Sequence, residues 1–326
     1  MNIDETKVQS QVVNQRNCSL DFLKLFCSFL VIVFHAKPIY SQWTQPISCS
    51  AVPCFFMISG YLLYSDKLSE RSLRSAKKTS IILLWSTLFY LPLLAYGIYT
   101  NSEGIKTLTE YIVDFLCFNE NPASSHLWYL AAYVYVLLIV RYFYNRNLLV
   151  ILFLAMPILW TVDMLGGLGG VKTIYLRNFL VTGIPCFTMG MLVRKCKMEK
   201  KVNSITMLLL IVLLSIGSVV ESSYYESTHQ NVSISLIALP LLLLFLNVRE
   251  TLFDDIMRKF EKNDSLYVYI FHPVIMLLLA QMDKLLPEWW DVFYSYVSPF
   301  LIFTITYICI LTYRRIKYKF ISRFDF

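Results

Sequence analysis

Two ionisable side chains stand out in the first apolar stretch of this sequence. Lys24 lies near the beginning of the run Phe22–Ala36, and His35 lies near its end. They are eleven residues apart, about three helical turns and roughly 17 Å along a helix axis. Eleven steps of 100° return close to the starting direction, so both side chains lie on one helical stripe, with Asp21 and Ser28 nearby. Ionisable groups inside a membrane-length helix are expensive to bury, and they indicate a functional site by default.

Each of these two residues has a functional and a structural interpretation. A neutral imidazole at the outer end of a membrane helix suits the removal of a proton from a hydroxyl group, because its ordinary pKa lies near neutrality. The same position suits a histidine that only caps the helix at the interface. Lys24 suits a cation that holds an anionic group in an interior cavity. It equally suits a lysine that extends to the inner headgroups, with Asp21 as its i,i+3 partner.

Composition indicates the kind of element that positions these residues. The 326 residues are 57% hydrophobic and only 16% charged, whereas about a quarter of the residues in soluble domains are charged. The chain therefore lacks the polar surface that a soluble fold needs, and we predict an all-α polytopic membrane protein of about ten transmembrane helices. The apolar runs of spanning or near-spanning length are 20–36, 47–64, 80–99, 127–142, 148–163, 177–193, 204–220, 230–247, 266–281 and 296–313.

The distribution of basic residues predicts the orientation of these spans. If the N-terminus is cytoplasmic, inner segments hold 23 of the 29 lysines and arginines, and outer loops hold four. The positive-inside rule therefore predicts that both termini are cytoplasmic, and we expect a multi-pass protein of the cell membrane in contact with its lipids. The net charge of +7 follows from this asymmetry and gives no support to nucleic-acid binding.

A basic inner loop precedes the third apolar run. The segment Lys67–Lys78 contains Arg71, Arg74, Lys77 and Lys78. This cluster suits lipid headgroups and topology, and it also suits a polyanionic cytosolic donor whose phosphates bind arginine forks.

Other candidate motifs carry less chemistry. Ser59–Gly60 in the second apolar run is typical of close helix packing, and a nucleophilic role for Ser59 has no partner nearby in sequence. The eight cysteines form no CxxC pair and have no histidine at zinc spacing, so we predict neither a metal site nor a disulfide framework. The glycines of Gly166–Gly170 follow no strand and are interpreted as a turn.

Several motifs taken together resemble those of the acyltransferase 3 family. They are the Lys24-x10-His35 spacing, AVPCFFMISGYLL at 51–63, the basic inner loop, HLWYL at 126–130, RNFLVTGIPCFTMGMLVRK at 177–195 and SLYVYIFHP at 265–273. They cover most of the chain in the expected order. The resemblance implies an integral membrane enzyme of about ten core helices. Such enzymes move acyl groups, usually acetyl from cytosolic acetyl-CoA, to sugars of cell-envelope or exported glycans.

The resemblance also implies roles for individual residues. His35 would be the catalytic base, and Lys24 would contact the donor. The family's RxxR pair corresponds to Arg71 and Arg74, although Lys77 and Lys78 lie closer to the span and offer a second pair for the CoA phosphates. Acetyl-CoA would be a co-substrate with no bound cofactor, and the acceptor an envelope glycan or glycolipid. Candidate contacts to the acceptor or to an oxyanion are His126, Tyr129, Arg177 and Asn178.

A second resemblance keeps a different class of function open. The motifs are also similar to the membrane domain of vancomycin-resistance serine racemases, which is associated with serine uptake. We therefore retain a small-solute transporter as the alternative. A purely structural or sensing module is a further alternative, and it would tolerate loss of both Lys24 and His35. The expected organisation is a cytoplasmic segment at 1–18, a membrane domain at 19–314 and a basic cytoplasmic tail at 315–326, with no racemase domain.

Overall fold

A computed structural model describes residues 17–100, 107–225, 232–248, 253, 257, 260–261, 263–283 and 286–321. Throughout these residues the secondary structure is helical, and they contain no strand. Most of the predicted cytoplasmic segment 1–18, the end of the tail 315–326 and His229 lie outside the described residues.

The longer helices follow one another with short connections. They are α1 (Cys18–Ala36), α2 (Ser41–Cys49), α3 (Ala51–Leu63), α4 (Leu68–Thr100), α5 (Leu108–Phe118), α6 (Trp128–Asn145), α7 (Leu149–Leu168), α8 (Thr173–Leu176), α9 (Ile184–Cys196), α10 (Ser204–Tyr225), α11 (Val232–Asn247), α12 (Asp264–Asp283) and α13 (Glu288–Ile321). Short 3-10 turns cover Ser125–Leu127 and Met198–Lys200, and a π-helical turn at Phe179–Gly183 leads into α9.

The described residues contain nine helical segments that are long and apolar enough to cross a membrane, and the shorter apolar helix α11 adds a tenth. These ten segments coincide with the ten apolar runs of the sequence. The predicted all-α polytopic class is therefore confirmed, while the cytoplasmic location of both termini stays a prediction.

Burial divides the spans into an inner and an outer group. In the most apolar part of α1, 61% of the residues are buried, against 17% in α4 and in α10. The outer helices present large apolar side chains such as Trp85 and Leu213, which are 67% and 65% exposed. Such surfaces are typical of helices that face lipid, because lipid tails are as apolar as leucine.

Two glycines permit the closest helix contact of the inner group. A Cβ atom on Gly60 of α3 would lie 2.0 Å from the carbonyl oxygen of Phe187, and one on Gly190 of α9 would lie 2.0 Å from that of Met57. Only hydrogen fits at these points, so the backbones of α3 and α9 touch directly. The packing role predicted for Gly60 is confirmed.

Two long-range hydrogen bonds fix α12 against the helices that surround the site. The Ser28 hydroxyl of α1 donates to the carbonyl of Ser265 at 2.7 Å, and the Tyr90 hydroxyl of α4 donates to the carbonyl of Ile270 at 2.6 Å. Pro273 lies inside α12, and its missing N–H interrupts the helical hydrogen bonds there. These contacts set the rotation of α12 and bring its middle turn next to the end of α1.

Candidate active site

Helix α1 positions both ionisable residues of the first span. Asn17 caps its first turn by accepting from the Leu20 amide at 2.9 Å, and the helix ends at Lys37, which has φ 44°. His35 therefore occupies the last turn, where the chain leaves the span. Lys24 donates to Asp21 at 3.0 Å, as the structural interpretation expected, and its ammonium also lines an interior cavity. The two interpretations of Lys24 are compatible.

Three imidazoles from three different spans meet at the end of α1. The ring centroids of His35 and His272 are 5.5 Å apart, and those of His126 and His272 are 5.6 Å apart. His126 and His272 are buried, whereas His35 is half-buried. The described residues include no group of histidine, cysteine or acidic side chains with a metal-binding arrangement.

A cavity of about 110 Å³ adjoins this cluster, and we call it the outer cavity. Its lining includes His35, His126, Asp163, Arg177, Trp128 and Trp160. Asp163 is buried and accepts from the Ser235 hydroxyl at 3.1 Å. Arg177 pairs with Glu120 at 3.3 Å, and its guanidinium lies 5.5 Å from the ring centre of Trp128. The cavity thus combines a candidate base with one acidic and one basic group.

A second cavity of about 200 Å³ lies beside the outer cavity at the end of α1. It shares Phe34 and Ser48 with the outer cavity, and Lys37 and Gln45 also line it. On the predicted orientation both cavities lie toward the outer side of the membrane.

An inner cavity of about 230 Å³ lies on the other side of the histidine cluster. It is lined by Lys24, Lys78, Ser59, Ser75, Tyr129 and Tyr269, among others. Tyr269 also lines the outer cavity, and its ring stands 5.7 Å from that of Tyr129. The inner and outer cavities therefore share the side chain of Tyr269, and we call the neighbouring rings of Tyr129 and Tyr269 the aromatic constriction.

The structure separates the four basic candidates of the inner loop. Lys78 lines the inner cavity and donates to Asn263 at 3.4 Å. Arg71 and Arg74 lie seven and four residues before Lys78 on α4, so they continue the same helix face toward the beginning of α4. Arg74 bonds Glu70 at 2.5 Å, and both side chains of this pair are exposed. Lys77 and Lys78 are both exposed, and Lys77 lies about 100° around the helix from Lys78.

The acceptor-side candidates lie in different surroundings. His126 and Arg177 line the outer cavity, whereas Tyr129 lies at the constriction. The Asn178 amide accepts from the backbone of Leu180 and Val181 at 2.8 and 3.0 Å. It therefore begins the π-helical turn and holds the chain next to Arg177.

Sequence analysis missed three residues of this region. His272 lies within the apolar run 266–281 and received no role, and the structure has it in mid-helix beside His35. Asp163 was assigned to the end of a span, but α7 continues to Leu168 and buries it. Tyr269 carried no polar pattern at all. The available signal for the first two was an ionisable side chain within an apolar run.

The family model described as "Acyltransferase domain" matches residues 17–314. The chain is 28% identical over 302 residues to a serine/alanine racemase of Enterococcus gallinarum, covering 79% of this chain and 40% of that protein. It is 27% identical over 162 residues to an amino-acid racemase of Enterococcus faecalis, covering 47% of this chain and 22% of that protein. The chain thus spans less than half the length of these relatives. No solved structure matches it.

Proposed function

The chain belongs to the acyltransferase 3 family, and from this membership we propose that it is an O-acyltransferase of the cell membrane. Its donor would be cytosolic acetyl-CoA, and its acceptor a hydroxyl group of an envelope glycan or glycolipid. The observation that carries the proposal is that an inner cavity lined by Lys24 and Lys78 shares Tyr269 with the outer cavity, which His35 also lines. An activated donor and an acceptor on opposite sides of a membrane require such a passage.

The donor would bind from the inner side. The phosphates of CoA carry the negative charge that Lys78 and Lys24 complement inside the inner cavity. Arg71 and Arg74 extend this basic face outward along α4 and would receive the remaining phosphate. The pantetheine arm is thin and mostly apolar, so it suits the aromatic constriction formed by Tyr129 and Tyr269.

The reaction would take place in the outer cavity. His35 removes the proton of the acceptor hydroxyl as the oxygen attacks the thioester carbonyl. The new C–O bond forms, the C–S bond breaks, and the proton passes from His35 to the departing CoA thiolate. Arg177 offers positive charge to the oxyanion.

Thermal stabilisation by CoA tests donor binding without knowledge of the acceptor. At a concentration about 100-fold above its Kd, a ligand stabilises the folded protein by about 2.7 kcal/mol. We expect Lys78→Glu to weaken CoA binding at least about tenfold, because a charge-assisted hydrogen bond of about 1.5–3 kcal/mol is replaced by repulsion. Lys77→Glu is the matched control, since it makes the same change one residue away and on another face of α4.

Two results would contradict this assignment of the donor site. One is equal loss of CoA stabilisation in Lys77→Glu and Lys78→Glu, which would indicate a diffuse surface effect. The other is no stabilisation of the unaltered protein by CoA at any concentration.

A second candidate function rests on the pairing of charges in the outer cavity. Asp163 and Arg177 line the same small space, and together they suit the ammonium and carboxylate groups of a small amino acid. Two similar proteins carry the names serine/alanine racemase and amino-acid racemase. A transporter of serine-like solutes would therefore use the same passage.

Uptake by proteoliposomes distinguishes the two functions. For a transporter, we expect accumulation of labelled serine without consumption of acetyl-CoA, and loss of uptake in Asp163→Asn. For an acyltransferase, we expect release of the CoA thiol that depends on an added glycan fraction, with no serine uptake.

A further inference from the structure

His272 has a hydrogen-bond arrangement that fixes the position of its ring proton. Because Pro273 has no N–H, the carbonyl of Tyr269 loses its normal helical donor. The Nδ1 atom of His272 lies 2.7 Å from that carbonyl oxygen and 3.3 Å from the carbonyl oxygen of Val268. A carbonyl only accepts hydrogen bonds, so Nδ1 carries the proton. In the neutral ring, Nε2 is then a lone-pair acceptor.

That acceptor has no hydrogen bond of ordinary geometry to any described residue. The Nε2 atom of His272 is buried without a partner in the part of the chain that the structure describes, and the residue is 0% exposed. A buried polar atom that lacks a partner destabilises the fold. The nearest aromatic neighbours of this one include the rings of His35 and His126.

The carboxylates that could orient His35 have other partners. Asp21 pairs with Lys24, Glu120 pairs with Arg177, and Asp163 accepts from Ser235. By contrast, the ring centroid of His272 lies 5.5 Å from that of His35, and the two rings are inclined by 32°. At this separation, facing nitrogens of the two imidazoles come within hydrogen-bond distance when the His35 ring turns, while His272 keeps its bond to Tyr269.

We propose that His272 is a positioning residue for His35, an inference that rests on the proposed acyl transfer. The Nε2 atom of His272 accepts the ring N–H of His35. This hydrogen bond holds the other ring nitrogen of His35, with its lone pair, toward the outer cavity. His272 thereby fills the place that an orienting carboxylate has in nucleophile–base arrangements. Unlike a carboxylate, it adds no negative charge to the centre of the membrane domain. The series of hydrogen bonds from the Tyr269 carbonyl through His272 to His35 sets one tautomer for each of the two rings.

Two amide substitutions separate a positioning role from a structural one. The amide of His272→Asn can still donate to the Tyr269 carbonyl from the Nδ1 position, but it offers nothing at the Nε2 position. The amide oxygen of His272→Gln lies near the Nε2 position. We expect His272→Asn to lower kcat for CoA release by about 10²-fold, the loss typical of a misplaced reacting group, with KM for acetyl-CoA little changed. We expect His272→Gln to retain more of the activity.

Ring ¹⁵N spectra of histidine-labelled protein give a readout that does not require turnover. We expect the His35 signals to report one tautomer in the unaltered protein and in His272→Gln, and a mixture of tautomers in His272→Asn. The proposal is overturned if the His35 signals are identical in all three proteins. It is also overturned if His272→Asn is more active than His272→Gln, because the bond to Tyr269 would then be what matters. Absence of acyl transfer by the unaltered protein would count against the proposed function alone, since the spectra still test the contact between the two histidines.

Discussion

Replacing His35 with alanine is expected to lower acyl transfer by about 10²- to 10⁴-fold, the contribution typical of a general base. The imidazole of His35 lies in the last turn of α1 and is the candidate base in the outer cavity. Alanine leaves no group to remove the proton of the acceptor hydroxyl. The measurement is CoA thiol release in proteoliposomes that contain a glycan fraction as acceptor.

Donor binding provides the internal control for this variant. The basic groups that would hold the CoA phosphates line the inner cavity, on the other side of Tyr269 from the outer cavity. His35→Ala is therefore expected to keep its thermal stabilisation by CoA while losing turnover, and Lys78→Glu is expected to lose the stabilisation. Full transfer activity in a folded His35→Ala protein would rule out His35 as the base.

Replacing Gly190 with alanine is expected to destabilise the packing of the inner helices strongly. The added Cβ atom would lie 2.0 Å from the carbonyl oxygen of Met57 and 2.9 Å from its Cα atom. Backbone cannot move aside as a side chain can, so α3 and α9 must separate. Overpacking of a core typically costs about 1–3 kcal/mol and occasionally more, and we expect a value at the upper end of that range or beyond it. The measurement is the thermal unfolding midpoint in detergent.

Gly166→Ala is the matched control for this substitution. Its Cβ atom would lie 2.6 Å from Cδ2 of Leu176, which is the end of a flexible side chain and can change its rotamer. The chemical change is identical, but the obstacle is movable, so the loss of stability is expected to be clearly smaller. Equal midpoints for the two variants would contradict the direct backbone contact of α3 with α9.

The two cavities explain why one membrane domain fits two candidate functions. Both an acyltransferase and a transporter need a passage between the two faces of the membrane. In both cases the passage must be closed at one point. Here that point is the pair Tyr129 and Tyr269. In the proposed acyl transfer, the pantetheine arm would pass between these two rings while the acceptor stays in the outer cavity. Transport would instead require the two rings to separate. The variant Tyr269→Ala therefore offers a route to test how tightly the cavities are divided.

The sequence by itself determined the class of the fold and one half of the site. Ten apolar runs, the capped first helix and the spacing from Lys24 to His35 depend on residues close together in the chain. Hydropathy, helical periodicity and the glycine in the second run are local properties, and each one agreed with the structure where it was tested.

Only the tertiary structure decided which distant residues join His35. His272 is 237 residues away from it in the chain, and its position depends on the rotation of α12, which Ser28 and Tyr90 fix by hydrogen bonds. The same holds for Asp163 and for the distinction between Lys77 and Lys78, which neighbour each other in sequence but face different directions. A change of helix phase by one residue turns a side chain by 100°. That phase is set by packing between helices, and composition and spacing do not contain it.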